Sequence, residues 1–206
     1  AIRNLIYKDQ IKNIKNLIPP VSHDIIKSDY KKGKIPIKKD YLGISILNKL
    51  RKTSTAELRN YLEIGNGLEN RIYQDAFNSG SLKELINNIK TRAFTQTRIQ
   101  RNLLHILFGI TSRDFQMIDE QGPQYLKILG FNKQGEKVLS KIKRQSSLPI
   151  ITQPAEYLKS INTQSIDIFE KMLSLDLLAS DIYTLLYKNE KKRQGHLDYY
   201  NPVIIN

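Results

Sequence analysis

The side chains best suited to chemistry fall on one predicted helix near the middle of the chain. Arg98, Arg101 and His105 are spaced three and four residues apart, so they share one face of a helix. Apolar residues recur at helical spacing from Ile99 to Ile110 and predict a separate, buried face. The guanidinium groups on the polar face are therefore candidate contacts for phosphate.

The predicted start of this helix strengthens that interpretation. Thr95 is a suitable N-cap, and Lys90 and Arg92 lie just upstream of it. A helix N-terminus flanked by cations is a natural seat for phosphate, because its backbone N–H groups lack partners. The alternative is the solvated basic face of an ordinary bundle helix, and spacing alone leaves both open.

A second polar motif, Gly67-Leu68-Glu69-Asn70-Arg71, precedes this region. One interpretation places Asn70 and Arg71 at an interface with RNA or with a nucleotide-binding domain. The other makes Glu69 and Arg71 partners in local ion pairs that dock neighbouring helices. Gly67 predicts a close approach of two backbone segments.

Together these motifs resemble those of the tRNA(Met) cytidine acetate ligase family, which are HIGH-type nucleotidyltransferases. The matching positions are Gly67, Glu69, Asn70, Arg71, Lys90, Thr91, Thr95, Thr97, Arg98, Arg101 and His105. The resemblance implies ATP-dependent acetylation of the wobble cytidine of elongator tRNA(Met). Acetate would be the acyl source, and acetyl-adenylate the intermediate.

The same resemblance implies ATP as cofactor, with Mg²⁺ as a possible accompanying ion. Ala1-Ile2-Arg3 resembles the tail of the family's Ser-x-Thr-x-Ile-Arg motif, so Arg3 would contact the ATP phosphates. The sequence contains no H-x-G-H motif and no glycine-rich nucleotide turn. We therefore expect a C-terminal portion of such an enzyme, inactive by itself, with most of the ATP site elsewhere.

Composition favours a polyanionic partner. Among 206 residues, 33 Lys and Arg outnumber 20 Asp and Glu, which gives a net charge of +13. The absence of Cys excludes a disulfide framework, and no apolar run is long enough to span a membrane. The three histidines are too widely separated for a metal motif. These features, with the resemblance, lead us to expect a cytoplasmic tRNA-binding protein.

The predicted fold is mainly α with a small βαβ element. We expect three parts: residues 1–20 as the last helix of a nucleotidyltransferase domain, 21–120 as a helical domain, and 121–206 as a βαβ-like unit with a long helix and tail. Residues 2–17 predict one helix ended by Pro19-Pro20, and Lys31–Lys39 predicts a basic loop. That loop is either a phosphate clamp or a solvated linker.

Local signals predict several other boundaries. Ser54–Glu57 and Ser81–Glu84 read as capping boxes. Residues 125–131 and 148–152 read as strands joined by a helix from Asn132. A long helix is predicted from Thr163, with acidic residues that indicate a solvated face rather than acid–base catalysis, and the apolar tail is predicted as an edge strand.

The sequence thus assigns RNA binding to a set of polar residues: Lys90, Arg92, Arg98, Arg101, Asn70 and Arg71. Phe94 and Tyr73 are either stacking platforms for bases or members of the core. The alternative function is a non-enzymatic basic helical module that binds nucleic acid or a protein partner.

Overall fold

Helices dominate the computed structural model, which describes residues 2–158, 167–200 and 203–205. The first group of helices is α1 (Ile2–Tyr7), α2 (Pro20–Lys31), α3 (Gly43–Arg51), α4 (Thr55–Leu58), α5 (Leu68–Asn78), α6 (Leu82–Ile89) and α7 (Gln96–Phe108). The second is α8 (Ser112–Gln121), α9 (Lys133–Gln145), α10 (Ala155–Leu158), α11 (Ile168–Leu185) and α12 (Leu197–Tyr200). The mainly α prediction is confirmed.

The main core lies between α3, α5, α6 and α7. Each of these helices turns an apolar stripe inward, and Leu50, Ile72, Leu85, Ile99 and Leu103 are almost completely buried. Burial of aliphatic side chains stabilises such a bundle by roughly 1.5–3 kcal/mol for each one removed from water. The core therefore fixes the polar faces of α6 and α7 relative to α5.

Short parallel strands form the β element. β1 (Leu126–Lys127) pairs with β3 (Ile150–Ile151), and α9 connects them, so the predicted βαβ unit is confirmed. The single strand predicted over residues 125–131 is wrong, because that run is divided between two short strands of different sheets. β2 (Gly130–Phe131) pairs with β4 (Ile204–Ile205), which confirms the predicted tail strand for those two residues. The proposed division of the chain at residues 20 and 120 stays a prediction.

The opening segment differs from the single helix that its periodicity predicts. α1 ends at Tyr7, and Asp9 adopts a left-handed conformation with φ of 59°. The chain resumes as a 3₁₀ turn at Ile11–Ile14 that buries both isoleucines, while Leu17 stays exposed. Pro20 begins α2 instead of stopping a helix, because the first helical position needs no backbone N–H donor.

Helix caps follow the sequence signals closely. The Ser54–Glu57 capping box is complete, whereas Ser81 caps α6 but Glu84 accepts from the N–H of Gly80 instead. Asn132 caps α9 as predicted. The box formed by Thr111 and Asp114 at α8 was not predicted.

Inward faces were predicted less well in the last third of the chain. Helical spacing in the sequence predicts that Val138 and Leu178 face inward on α9 and α11, but both are exposed, while Leu139 and Leu173 are buried. On both helices, neighbouring elements cover only a narrow stripe of the surface.

None of the described helices combines the length and the apolar composition that a membrane span requires.

The acidic residues of α11 have structural partners. Asp167 and Glu170 form a capping box at its start, and Asp176 accepts a 2.6 Å hydrogen bond from the hydroxyl of Tyr125. Thr163, predicted as the first residue of this helix, lies outside the described residues. The prediction against acid–base catalysis by these carboxylates stays a prediction, but capping and hydrogen bonding account for Asp167, Glu170 and Asp176, and Asp181 accepts a 2.6 Å hydrogen bond from the backbone N–H of His196.

An ion pair joins α8 to α11. Lys171 contacts the carboxylate of Asp114, which also belongs to the capping box of α8. Burial opposes ionisation of Asp114, but hydrogen bonds from Lys171 and Thr111 outweigh it and lower the pKa of Asp114. The pair therefore connects the last long helix to the helical core.

We predict that Lys171→Met destabilises the protein by about 1–2 kcal/mol, because Asp114 loses its charged partner in a partly screened site. Urea unfolding followed by circular dichroism measures this. Lys141→Met, which removes an exposed lysine on α9, is the control. Equal stability of the two variants would show that the α8–α11 ion pair contributes nothing.

Candidate nucleic-acid interface

Four predicted RNA contacts lie along the junction of α6 and α7. Lys90 is the C-cap of α6, and a tight turn closed by two hydrogen bonds between Thr91 and Phe94 follows it. The hydroxyl of Thr95 then accepts from the N–H of Arg98, which confirms the predicted N-cap. We call the exposed or half-buried cations of this junction, Lys90, Arg92, Arg98 and Arg101, the α6–α7 cationic surface.

Arg98 is held in one orientation by several contacts. Its Nη2 donates a 2.8 Å hydrogen bond to the backbone carbonyl of Glu63, and its Nε lies 3.8 Å from the Glu63 carboxylate. Its guanidinium carbon lies 5.5 Å from the centre of the Phe94 ring. About one-third of the side chain remains exposed. Arg98 therefore supports the fold and still presents charge to solvent.

Arg101 shares the same acidic partner. Its Nη2 contacts the carboxylate oxygen of Glu63 that also faces Arg98. Two guanidinium charges thus meet one carboxylate, and half of the Arg101 side chain is exposed. Arg98 and Arg101, together with Glu63, therefore keep a net positive charge at the surface in a fixed geometry.

The loop that carries Glu63 has an unusual backbone. Glu63, Asn66 and Gly67 all have positive φ, at 59°, 55° and 89°. Asn102, fully buried in α7, adds a 3.4 Å hydrogen bond to the Glu63 carbonyl. A Cβ on Gly67 would meet no atom within 4 Å, so the predicted close approach of two backbone segments is wrong. Glycine is favoured at this position because of its positive φ.

The interpretation that Glu69 and Arg71 form local ion pairs that dock neighbouring helices holds for Glu69 but not for Arg71. Glu69 is buried and pairs with Arg59, whose Nε and Nη2 both lie 3.2 Å from Oε1. Arg71 instead donates a 2.8 Å hydrogen bond to the carbonyl of Asn88 near the end of α6. Successive residues on a helix project in different directions, so side chains two apart do not meet. Asn70 is exposed beside them.

His105, which the sequence places on the same face of α7 as Arg98 and Arg101, has a different environment from theirs. Its ring packs against Phe115 at 6.1 Å between centroids, and its Nδ1 is buried without a hydrogen-bond partner among the residues described. Burial, and then the charge of Arg101, lower the pKa of His105 against a weaker opposite effect of Glu63. The imidazole is therefore neutral near pH 7 and packs between α7 and α8.

The two predicted stacking residues differ in environment. Phe94 is half-buried, packs against the main core and faces Arg98. Tyr73 is 37% exposed, and its ring meets Phe77 edge-on at 5.2 Å. Phe94 therefore belongs largely to the core, while Tyr73 leaves part of its ring open to solvent.

The basic loop after α2 has a fixed shape in the structure. The N–H of Asn189 donates to the carbonyl of Gly33 at 3.0 Å, and its side-chain amide donates to the carbonyl of Lys32 at 3.1 Å. At the other end of the loop, Tyr7 donates to the carbonyl of Ile37 at 2.7 Å. Sequence reasoning missed these partners, since Asn189 lies 157 residues from Lys32.

Candidate sites for ATP and for metals are sparse in this chain. Arg3 is exposed in the first turn of α1, a helix of six residues, and makes no ion pair within the described ranges. Residues 2–158, 167–200 and 203–205 contain no cluster of three or more His, Asp or Glu arranged to hold a metal ion.

A family model described as "HIGH Nucleotidyl Transferase" matches residues 1–198. The chain belongs to this family. It is 48% identical over 206 residues to a tRNA(Met) cytidine acetate ligase of Halothermothrix orenii, covering all of this chain and 49% of the relative. A ligase of the same name from Thermosipho africanus is 35% identical over 215 residues, with half of its length covered. The resemblance found in the sequence is confirmed.

Solved structures agree with these relationships. The crystal structure of Thermotoga maritima TmcAL bound with alpha-thio ATP superposes with a TM-score of 0.90 at 26% identity. The match covers this whole chain and half of the Thermotoga chain. The chain thus spans about half the length of the curated relatives it matches.

We predict that Glu69→Gln destabilises the protein in a pH-dependent manner. The backbone N–H of Glu69 itself, and then Arg59, lower the pKa of Glu69 against the effect of burial. A lowered pKa stabilises the folded state above the ordinary Glu value of about 4.3, and this stabilisation is lost as pH falls through the folded-state value.

The melting-temperature gap between wild type and Glu69→Gln should therefore be full above about pH 5 and shrink on acidification. Differential scanning calorimetry from neutral to acid pH measures it. Asp119→Asn, which removes an exposed carboxylate, is the control and should show little gap at any pH. A constant gap for Glu69→Gln would exclude this electrostatic contribution.

Proposed function

We propose that this chain is the tRNA-binding part of an ATP-dependent ligase that acetylates the wobble cytidine of elongator tRNA(Met). Family membership and the names of the relatives support the ligase activity. In the reaction, acetate and ATP would give acetyl-adenylate, and the exocyclic amine of the cytidine would attack its acyl carbon. Such an enzyme would act in the cytoplasm, with its tRNA substrate.

The α6–α7 cationic surface carries the proposal for RNA binding. Lys90 and Arg92 are exposed and make no ion pair among the described residues. Arg98 and Arg101 lie on the adjoining first turns of α7 with their orientation set by Glu63. Pre-oriented guanidinium groups lose little entropy on binding phosphate, while exposed Lys90 contributes charge. We include Asn70 and Arg71 in the proposed contact set, since Arg71 reaches the carbonyl of Asn88 near the end of α6 and Asn70 is exposed beside it in sequence.

We assign tRNA binding and acetate activation to different parts of the ligase. It has no H-x-G-H motif, so activation of acetate is assigned to the remaining half of the ligase length. Arg3 is the residue of this chain that we propose contacts an ATP phosphate. ATP would supply the adenylate leaving group when bound. Mg²⁺ is a possible companion of the nucleotide.

We predict that the double variant Lys90→Gln/Arg92→Gln binds elongator tRNA(Met) at least tenfold more weakly than wild type. Each lost phosphate contact should also reduce the slope of log K against log salt by roughly 0.7–0.9. Fluorescence anisotropy over a salt series, with an unrelated tRNA for comparison, measures both quantities. Neither residue has a partner in the described fold, so melting temperature should not change.

Lys137→Gln/Lys141→Gln, which removes two exposed lysines from α9, is the matched control. An affinity loss of the same size in this control would mean that net charge and not the α6–α7 surface governs binding. Unchanged binding by Lys90→Gln/Arg92→Gln would remove those residues from the interface.

Glu63→Gln provides a test in the opposite direction. The substitution frees Arg98 and Arg101 from their shared carboxylate, so tRNA affinity should rise several-fold and the salt dependence should steepen. Melting temperature should fall, because the Glu63 loop loses its charged contacts to α7. Loss of stability with no change in tRNA affinity would restrict both arginines to a structural role.

A further inference from the structure

A second basic groove lies along α2, on segments outside the Gly67–Arg71 and Lys90–His105 motifs. It consists of two adjoining clefts with volumes of about 590 and 920 Å³, which share Asp9, Tyr30 and Lys31 in their walls. The smaller cleft runs beneath the basic loop, and the larger one lies between α2 and the Ile11–Ile14 turn. Both volumes are in the range of ligand-binding clefts.

Lysine dominates the charge of this groove. Seven lysines line the two clefts and only two aspartates, Asp9 and Asp24, accompany them; the lysines are Lys12, Lys15, Lys27, Lys31, Lys32, Lys38 and Lys188. Within the described ranges none of the seven has a carboxylate within 4 Å. The groove therefore concentrates unpaired positive charge along a concave path, which favours a polyanion.

Tyrosine rings lie among these lysines. Tyr7 and Tyr41 line the smaller cleft with 37% and 45% of their surface exposed, and Tyr30 forms the boundary between the clefts. The hydroxyls of Tyr7 and Tyr30 are engaged by the Ile37 carbonyl and by Asp9, each at 2.7 Å. These hydrogen bonds fix the orientation of both rings. Part of the Tyr7 ring remains exposed to solvent.

The walls of the groove are set before any ligand binds. Gly33 has φ of 70°, and a Cβ there would lie 2.8 Å from the Cβ of Asn189, so the loop and the segment after α11 meet closely. In the larger cleft, His23 is nine-tenths buried and its Nε2 has no hydrogen-bond partner among the residues described. This nitrogen is buried, so His23 belongs to the wall of the cleft and does not itself present a contact to a ligand.

We propose that this groove, hereafter the Tyr7–Tyr41 groove, binds a single-stranded RNA segment with its phosphates on the lysines and its bases against the tyrosines. Exposed aromatic faces interleaved with lysine suit unpaired bases, because a duplex hides the base faces. An acidic polypeptide would match the charge but leave the rings unused. The inference rests on the proposed function, where it adds a second contact region for unpaired nucleotides of the tRNA.

The test uses a labelled single-stranded RNA of about ten nucleotides, and the same sequence annealed to its complement, titrated with the protein. Tyr41→Ala should weaken single-strand binding by about tenfold or more, as expected for loss of one stacked base. Tyr41→Phe, which keeps the ring, should stay within twofold of wild type. Preference for the single strand over the duplex should fall with Tyr41→Ala.

Charge contacts are measured in the same titrations. Lys32→Gln/Lys38→Gln should reduce the single-strand salt slope by roughly 1.4, whereas the control Lys137→Gln/Lys141→Gln should leave it unchanged. Ultraviolet cross-linking followed by mass spectrometry should place the RNA on peptides that contain Tyr7 or Tyr41.

Equal single-strand affinity of wild type and Tyr41→Ala, or tight binding of poly-glutamate that Tyr41→Ala does not affect, would overturn the groove assignment. That outcome would leave the proposed function standing if Lys90→Gln/Arg92→Gln still impairs tRNA binding. If wild-type protein fails to bind any tRNA, the proposed function fails, and single-strand binding by the groove is then judged from the oligonucleotide alone.

Discussion

The contact of Glu63 with α7 is the constraint on which the candidate interface depends. Arg98, Arg101 and Asn102 all reach this one residue, through its carboxylate or its backbone carbonyl. The loop around Glu63 adopts left-handed backbone angles that cost free energy, so its shape depends on such tertiary contacts. The same contacts give the two arginines a defined direction at the surface.

Arginine has two roles in this protein, holding helices together and presenting charge at the surface, and Arg98 combines both. Arg51 and Arg71 donate to carbonyls near the C-terminal ends of α5 and α6, and Arg59 neutralises buried Glu69. Those guanidinium groups hold helices together. Arg92 and the exposed lysines make no such contacts among the described residues, so their charge remains available for a partner. The total of 33 Lys and Arg thus overstates the number of cations free to bind RNA.

Sequence predicted the features that are encoded locally. Thr95, Ser54 and Asn132 cap their helices because a cap needs only a side chain and an N–H three residues later. The break in the first helix at Asp9 carries no periodic signal, because a single left-handed residue interrupts a pattern that otherwise continues. The burial predicted for Val138 was wrong, because spacing identifies the apolar face of a helix but not how much of that face a neighbouring element covers.

Long-range partners could not be predicted. Glu63 lies 35 and 38 residues from Arg98 and Arg101, and Asn189 meets the basic loop from near the end of the chain. Spacing indicated which cations share a face of α7, but not that one carboxylate fixes two of them. The basic loop left open the choice between clamp and linker, and its hydrogen bonds to Asn189 and Tyr7 show that it is held in place.

Hydrogen–deuterium exchange with and without elongator tRNA(Met) is the most direct measurement of whether the α6–α7 cationic surface binds RNA. Backbone amides from Lys90 to Arg101 line the turn and the start of α7, so a bound phosphate backbone should slow their exchange. Slower exchange in this segment, absent with an unrelated polyanion such as heparin at the same charge concentration, is the expected result. Unchanged exchange there, with tRNA bound and protection confined to other segments, would contradict RNA binding by this surface.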